Sequence, residues 1–136
     1  MIVDANVAAM WLVEETLSIR AAKLITRTDL AAPDIIDVEI GQTLTRRTRQ
    51  RLLDADQARR LWAETLSLPI RRRSWKDHAE AAFDLSLRLR ATFNDCLYLA
   101  LALSSGDLLV TADERFVRSV QTDRTLHHSI ISLTDV

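Results

Sequence analysis

Glycine and proline are almost missing from this sequence, with two of each among 136 residues. That scarcity excludes a loop-rich chain and favours helices joined by short connections. No Ser/Pro-rich linker, repeat or low-complexity segment divides the sequence, so residues 1–136 are expected to fold as a single domain. Cysteine occurs once, at Cys96, which rules out an internal disulfide; set among Leu97, Leu99 and Leu101, it reads as a small buried apolar residue. No apolar run approaches the ~20 residues of a membrane span. The opening MIVDAN, with a carboxylate at Asp4, does not read as a signal peptide, and a cytoplasmic location without membrane attachment is the expectation. Excess charge is lacking too: 18 basic residues face 19 acidic ones, which argues against a general polyanion binder steered by a net positive field.

What is present is apolar, at 48% of residues, enough for a real core. Residues 1–4, MIVD, read as a short buried strand, and Asn6 to Glu14 and Thr16 to Thr28 as helices. LAAP at 30–33 gives a second strand, and a long helix follows from Asp34 to about Arg49, with Pro33 and Asp34 as its start signal. Asp54 to Ser67 reads as a helix, residues 68–72 as a strand, and Trp75 to Arg88 as a further helix. The stretch NDCLYLALALSSGDLLVTADERF, residues 94–116, combines a helix over about Asn94 to Ser105, a C-terminal cap at Gly106 and the strand DLLVT. A helical turn or two at 114–120 and the strand SIISL close the chain. Apolar strands separated by helices imply an α/β class, with a mainly parallel sheet of about 4–5 short strands covered on both faces. Functional groups in such sheets gather beyond the carboxyl ends of the strands, where Asp4 and Asp113 fall.

Each acid there has a bland explanation: Asp4 as a cap for the helix after it, Asp95 at the positive end of its own helix, and Thr111 with Glu114 as a capping box. Glu39 resists such a reading. With Ile36 set at zero and about 100° per residue, Ile40 falls near 40°, Leu44 near 80° and Thr43 near −20°. Glu39 falls near −60°, inside this apolar arc, where an isolated carboxylate is costly unless it is paired or binds a metal. Asp95 opens a helix that is apolar nearly all round, which makes a solvated surface role improbable for it. Brought together, Asp4, Glu39, Asp95 and Asp113 would repel one another unless cations occupied the site. An all-oxygen set without Cys or His at ligand spacing favours Mg²⁺, or alternatively Mn²⁺, over zinc. The chemistry that fits such ions is metal-assisted phosphodiester hydrolysis.

IVDANV around Asp4, PDIIDVEIGQTL around Glu39, NDCLYLALA around Asp95 and LLVTADERF around Asp113 resemble the acidic motifs of PIN-domain nucleases, in order and over essentially the whole chain. The resemblance extends to the small VapC toxins of bacterial toxin–antitoxin pairs. It implies a three-layer α/β/α fold and a magnesium-dependent endoribonuclease that cuts transfer or ribosomal RNA and so arrests translation. It also implies a cognate antitoxin that keeps the enzyme silent, and a homodimer assembled further with that antitoxin. By the family pattern Asp4, Glu39, Asp95 and Asp113 would ligate the metal and activate the attacking water, with Asn6 and Thr111 positioning ligands or phosphate. Asn6 departs from the Ser or Thr of many relatives, and Asn94 from a frequent aromatic; neither removes a carboxylate.

RRTRQR at 46–51 and RRR at 71–73 concentrate positive charge. Arg46 and Arg47 lie about two turns beyond Glu39, roughly 10 Å along one helix, within reach of phosphates flanking a cut site. Trp11, Trp62 and Trp75 read as core, with Trp11 or Trp62 as an alternative interface anchor at the antitoxin groove. His127 and His128 read as surface residues. Other functions stay open on the residues alone. A haloacid-dehalogenase-type phosphatase needs a second Asp where Asn6 stands, and a two-component receiver domain needs a late lysine, absent after Lys76. A non-catalytic interaction module would make the acids mere caps.

Overall fold

The structure is a computed structural model that describes every residue from Met1 to Val136. Five short strands form one parallel sheet: β1 (Ile2–Val3), β2 (Ala31–Pro33), β3 (Arg71–Arg73), β4 (Leu109–Thr111) and β5 (Ile130–Ser132), in spatial order β3-β2-β1-β4-β5. Seven helices connect them: α1 (Ala5–Ala9), α2 (Ser18–Ala22), α3 (Ile35–Arg49), α4 (Ala55–Leu66), α5 (Ala79–Arg88), α6 (Phe93–Ser105) and α7 (Glu114–Gln121). Starting from β1, the chain steps outward in one direction to β2 and β3, then returns to β4 and β5 on the other side. Right-handed crossovers therefore put α1 to α4 on one face and α5 to α7 on the other, the three-layer α/β/α arrangement. The reversal of direction lies between β1 and β4, where open α/β sheets form their crevice at the carboxyl ends of the strands.

The central strands are buried on both faces, with Ile2, Val3, Leu109 and Val110 at most 1% exposed, which explains why they do not alternate. α6 crosses β1, β2 and β4 and packs along α5. Its residues from Cys96 to Ala102 are all buried, so this helix is the core of its layer. Thr92 caps its start by accepting a bond from the Asp95 amide at 3.1 Å. Gly106 ends it in the left-handed region at φ 63°, and the Asp107 amide reaches back to the Ala102 carbonyl at 2.9 Å. At α4 the start signal is a full capping box between Asp54 and Gln57.

The largest departure from the sequence reading lies between residues 10 and 28. Helices expected over Asn6 to Glu14 and Thr16 to Thr28 contract to α1 and α2. The segment between them is held in three-residue turns, such as Trp11 amide to Ala8 carbonyl and Ser18 amide to Glu15 carbonyl. The indole of Trp11 donates to the Ala21 carbonyl at 2.7 Å, and Ser18 Oγ accepts from the Glu15 amide at 2.7 Å. These bonds fold the segment back on itself, which a continuous helix would forbid. The strand placed at 68–72 forms at Arg71–Arg73, and Trp75–His78 is a 3₁₀ turn ahead of α5. Arg72 turns inward: it pairs with both oxygens of Asp37 at 2.9 and 3.2 Å and donates to the carbonyls of Thr65, Leu68 and Ile70. It is thus a structural staple between β3 and α3. No helix is long and apolar enough to cross a membrane.

Candidate active site

Asp4 directly follows β1, and Asp113 follows β4 by two residues. Glu39 stands in the second turn of α3, which leaves the end of β2, and Asp95 in the first turn of α6, which runs back along the sheet. All four therefore belong to the same edge, the carboxyl ends of the strands, centred on the β1/β4 crevice. An open cleft of about 580 Å³ lies there, lined by Asn6, Met10, Glu15, Ala112 and Asp113 among others.

A network of short bonds fixes the floor. The Thr111 hydroxyl donates to Asp4 Oδ2 at 2.6 Å and accepts from the Asp113 amide at 3.1 Å. Asn6 Nδ2 donates to Asp4 Oδ2 and to Thr111 Oγ1, both at 3.1 Å, while its Oδ1 accepts from the Ala112 amide at 3.1 Å. Asn6 thus ties the start of α1 to the β4–α7 connection. Threonine and asparagine are suited to this: a hydroxyl gives and accepts at one atom, and a carboxamide separates donor from acceptor.

These bonds replace two of the bland readings. Asp4 stands at the start of α1 but its side chain makes no capping bond. Thr111 and Glu114 form no capping box: the Thr111 hydroxyl is committed to Asp4, and Glu114 accepts from Ser132 and Thr134. Asp113 caps α7 in their place, its Oδ1 accepting from the amides of Arg115 and Phe116 at 2.9 and 3.0 Å. Asp95 does lie in the first turn of its own helix, as that reading had it, with Thr92 as the cap.

The acids share a pattern in how their oxygens are used. Side-chain donors to Asp4 land on Oδ2, the amide donors to Asp113 on Oδ1, and the Tyr98 hydroxyl on Glu39 Oε1 at 2.8 Å. These three carboxylates are thereby each oriented through one oxygen, with no such donor on the other. None of the four takes part in an ion pair with Lys, Arg or His. Burial is the main force on Asp4 and pushes its pKa up to about 7, with repulsion from Asp95 and Glu39 adding to it and the Thr111 bond opposing. Burial also raises Glu39, against the Tyr98 bond and with the charge of Asp95. Asp95 is raised by burial and by the charge of Asp113, against hydrogen bonding at Thr92. The acids therefore act on one another electrostatically. No three of them close into a tight ligand cage.

Tyr98 was not anticipated. It sits one turn after Asp95 on α6, is 1% exposed, and sends its hydroxyl to Glu39. In the sequence it is one more apolar-compatible residue in LYLALA; only its i, i+3 spacing from Asp95 hints that both face one way. Glu15 was missed as well: it lines the cleft and pairs with Arg47. That pairing engages Arg47, half-buried, while Arg46 is exposed at the α3 surface. Cys96 is buried, and burial followed by the charge of Asp95 pushes its thiol up to about 11, so it is an inert core group. Trp11 and Trp75 pack half-buried against the core, whereas Trp62, also read as core, is exposed and lies over Gly41, where an added Cβ would meet its ring at 3.2 Å. The His127 and His128 rings touch in a tilted arrangement, 3.5 Å between centroids and 47° between planes, with His128 exposed.

The PIN domain model matches residues 1–120. The chain belongs to the PIN domain family. It is also similar to Ribonuclease VapC3 of Pyrobaculum aerophilum, 29% identical over 120 residues that make up 85% of this chain and 90% of that protein. The stretch matched by the PIN domain model takes in Asp4, Glu39, Asp95 and Asp113.

Proposed function

We propose that this PIN-domain protein is a metal-dependent endoribonuclease of the VapC toxin type, with Asp4, Glu39, Asp95 and Asp113 as its metal-binding and catalytic carboxylates. The observation that carries the reading is the gathering of mutually repelling, half-buried acids without a cationic partner, the most buried of them raised to about 7. Retaining such a set is costly for stability, and a hard divalent cation offsets the cost. The donor set fits Mg²⁺ or Mn²⁺: oxygen only, each of Asp4, Glu39 and Asp113 oriented through one oxygen and leaving the other for a ligand. When bound, such an ion lowers the pKa of a coordinated water and offsets charge on the leaving oxygen.

The residues around it have separable tasks. Asn6 and Thr111 hold Asp4 and lock the β4–α7 connection that delivers Asp113. Tyr98 holds Glu39. The substrate is RNA, transfer or ribosomal RNA by the family pattern, and cleavage would arrest translation in the cytoplasm. A VapC-type toxin brings a cognate antitoxin, and a homodimer is the expected unit of that assembly. Residues 1–136 act as one catalytic domain.

Asp95→Asn is the direct test, because it keeps the shape of the α6 start and removes one charge. Induced in a bacterial host, the wild type should arrest growth and the variant should not; in vitro, Mg²⁺-dependent RNA cleavage should fall at least about a hundredfold. If both proteins were harmless and the purified wild type bound no divalent ion, the nuclease reading would fail.

A further inference from the structure

A groove of about 510 Å³ runs between the end of α5 and the outer face of α7, lined by Arg88, Arg90, Arg115 and Arg118 with Leu89 in its floor. Arg88 is engaged by Asp123 and Thr125. Arg90, Arg115 and Arg118 are exposed and have no acidic partner. Arg115 and Arg118 stand three residues apart on α7, so their side chains share a face and repel, and such a pair costs an isolated helix a few tenths of a kcal/mol. What sets these three apart from the chain's other unpaired arginines is that they line one groove. Its position is informative. Arg90 lies just before Thr92, the cap of the helix that carries Asp95, and the Arg115 amide donates to Asp113 itself. The basic groove thus hangs from the two segments that supply half of the acidic site.

We infer that this groove holds the phosphodiester backbone of the RNA strand as it leaves the acidic site, with Arg90, Arg115 and Arg118 as phosphate contacts. The inference rests on the ribonuclease reading. A polyanion approaching four acids meets repulsion, and a chain with almost no net charge cannot offset it at long range; local cations beside the acids must do so. Guanidinium groups suit this task because they bind phosphate oxygens in a fork and stay charged at every relevant pH. Phosphate contacts of this kind set register and carry no sequence preference. Arg47, by contrast, is already engaged by Glu15.

The test uses the full chain in an Asp95→Asn background, so that RNA is bound and not cut, and a mixed-sequence single-stranded RNA oligonucleotide as probe. Single-stranded RNA gives a salt slope of about 0.7 per neutralised phosphate, so Arg90→Gln, Arg115→Gln and Arg118→Gln combined should lower the slope by about 2. The matching Lys replacements should restore most of it. A triple outside the groove and outside the 46–51 run, Lys23→Gln, Arg59→Gln and Arg60→Gln, all exposed, should leave it in place. An unchanged slope in the groove variant, or an equal fall in the remote one, overturns the proposal while wild-type cleavage of RNA keeps the nuclease reading. If a polyglutamate peptide bound with the same arginine dependence and equal affinity, the groove would belong to an acidic protein partner and the proposal would fall. A wild type that neither binds nor cuts RNA in Mg²⁺ would sink both.

Discussion

At the scale of single residues, Tyr98 separates positioning from ligation. Its hydroxyl is spent on Glu39 Oε1, and its bond holds the Glu39 pKa down against burial. Tyr98→Phe keeps the ring in the core and removes only the bond. The loss should be about 1 kcal/mol of stability, read from denaturant midpoints at constant slope. Glu39 would then titrate at higher pH, so the acid limb of the cleavage profile should move upward while the wild-type rate is approached at high pH. A Tyr98→Phe enzyme with an unshifted profile would show that the phenol is packing alone. Sequence reasoning found Glu39 because a carboxylate in an apolar arc is conspicuous; it passed over Tyr98 because an aromatic in an apolar run is what a core helix contains anyway. The role of Asn6 was legible in part. Its neighbourhood to Asp4 is local, but its bonds to Thr111 and Ala112 join residues more than a hundred positions apart, which no spacing reveals.

At the scale of elements, α6 was legible almost to its ends, because an apolar face on every side and a glycine stop agree; the Thr92 cap that sets its start was not read. Residues 10–28 were not, since turn bonds from Trp11 and Ser18 override a helical pattern that local propensity alone favours. The two ends of α6 offer a paired prediction. Thr92→Ala removes the cap beside Asp95 and should cost about 1 kcal/mol. Gly106→Ala forces a side chain into the left-handed region; its Cβ meets nothing within 4 Å, so only the backbone term remains, about 1 to 2 kcal/mol. Both should lower the denaturation midpoint to a similar degree. Only Thr92→Ala should also lower cleavage by the folded enzyme, because only that end carries an acid of the site. Equal activity in the two variants would argue that the first turn of α6 is held by its packing and not by its cap.

At the scale of the whole molecule, the gathered acids make stability depend on pH and on divalent cations together. Asp4 titrates at about 7 when folded and near 4 when unfolded, so between those values the folded chain binds more protons than the unfolded one. Stability must then fall as pH rises through that window and level off above it, by on the order of 4 kcal/mol for Asp4 alone in the cation-free protein. A divalent cation competes with that proton. At pH 8, with the carboxylates charged, Mg²⁺ at a hundred times its dissociation constant should return about 2.7 kcal/mol, whereas at pH 5 the same concentration should return much less. Asp4→Asn is the control: it removes the buried charge while Asn still accepts from Thr111. The variant should be more stable than the wild type at pH 8 without metal, and less dependent on pH between 5 and 8 and less responsive to Mg²⁺ than the wild type, the remainder coming from Glu39 and Asp95, which burial also raises. Thermal melts of both proteins at the two pH values, with Mg²⁺ and with chelator, read all of this at once. A wild type that gained stability from pH 5 to pH 8 without metal would mean that Asp4 is ionised at no cost, and the argument that these acids are kept for a cation would lose its basis.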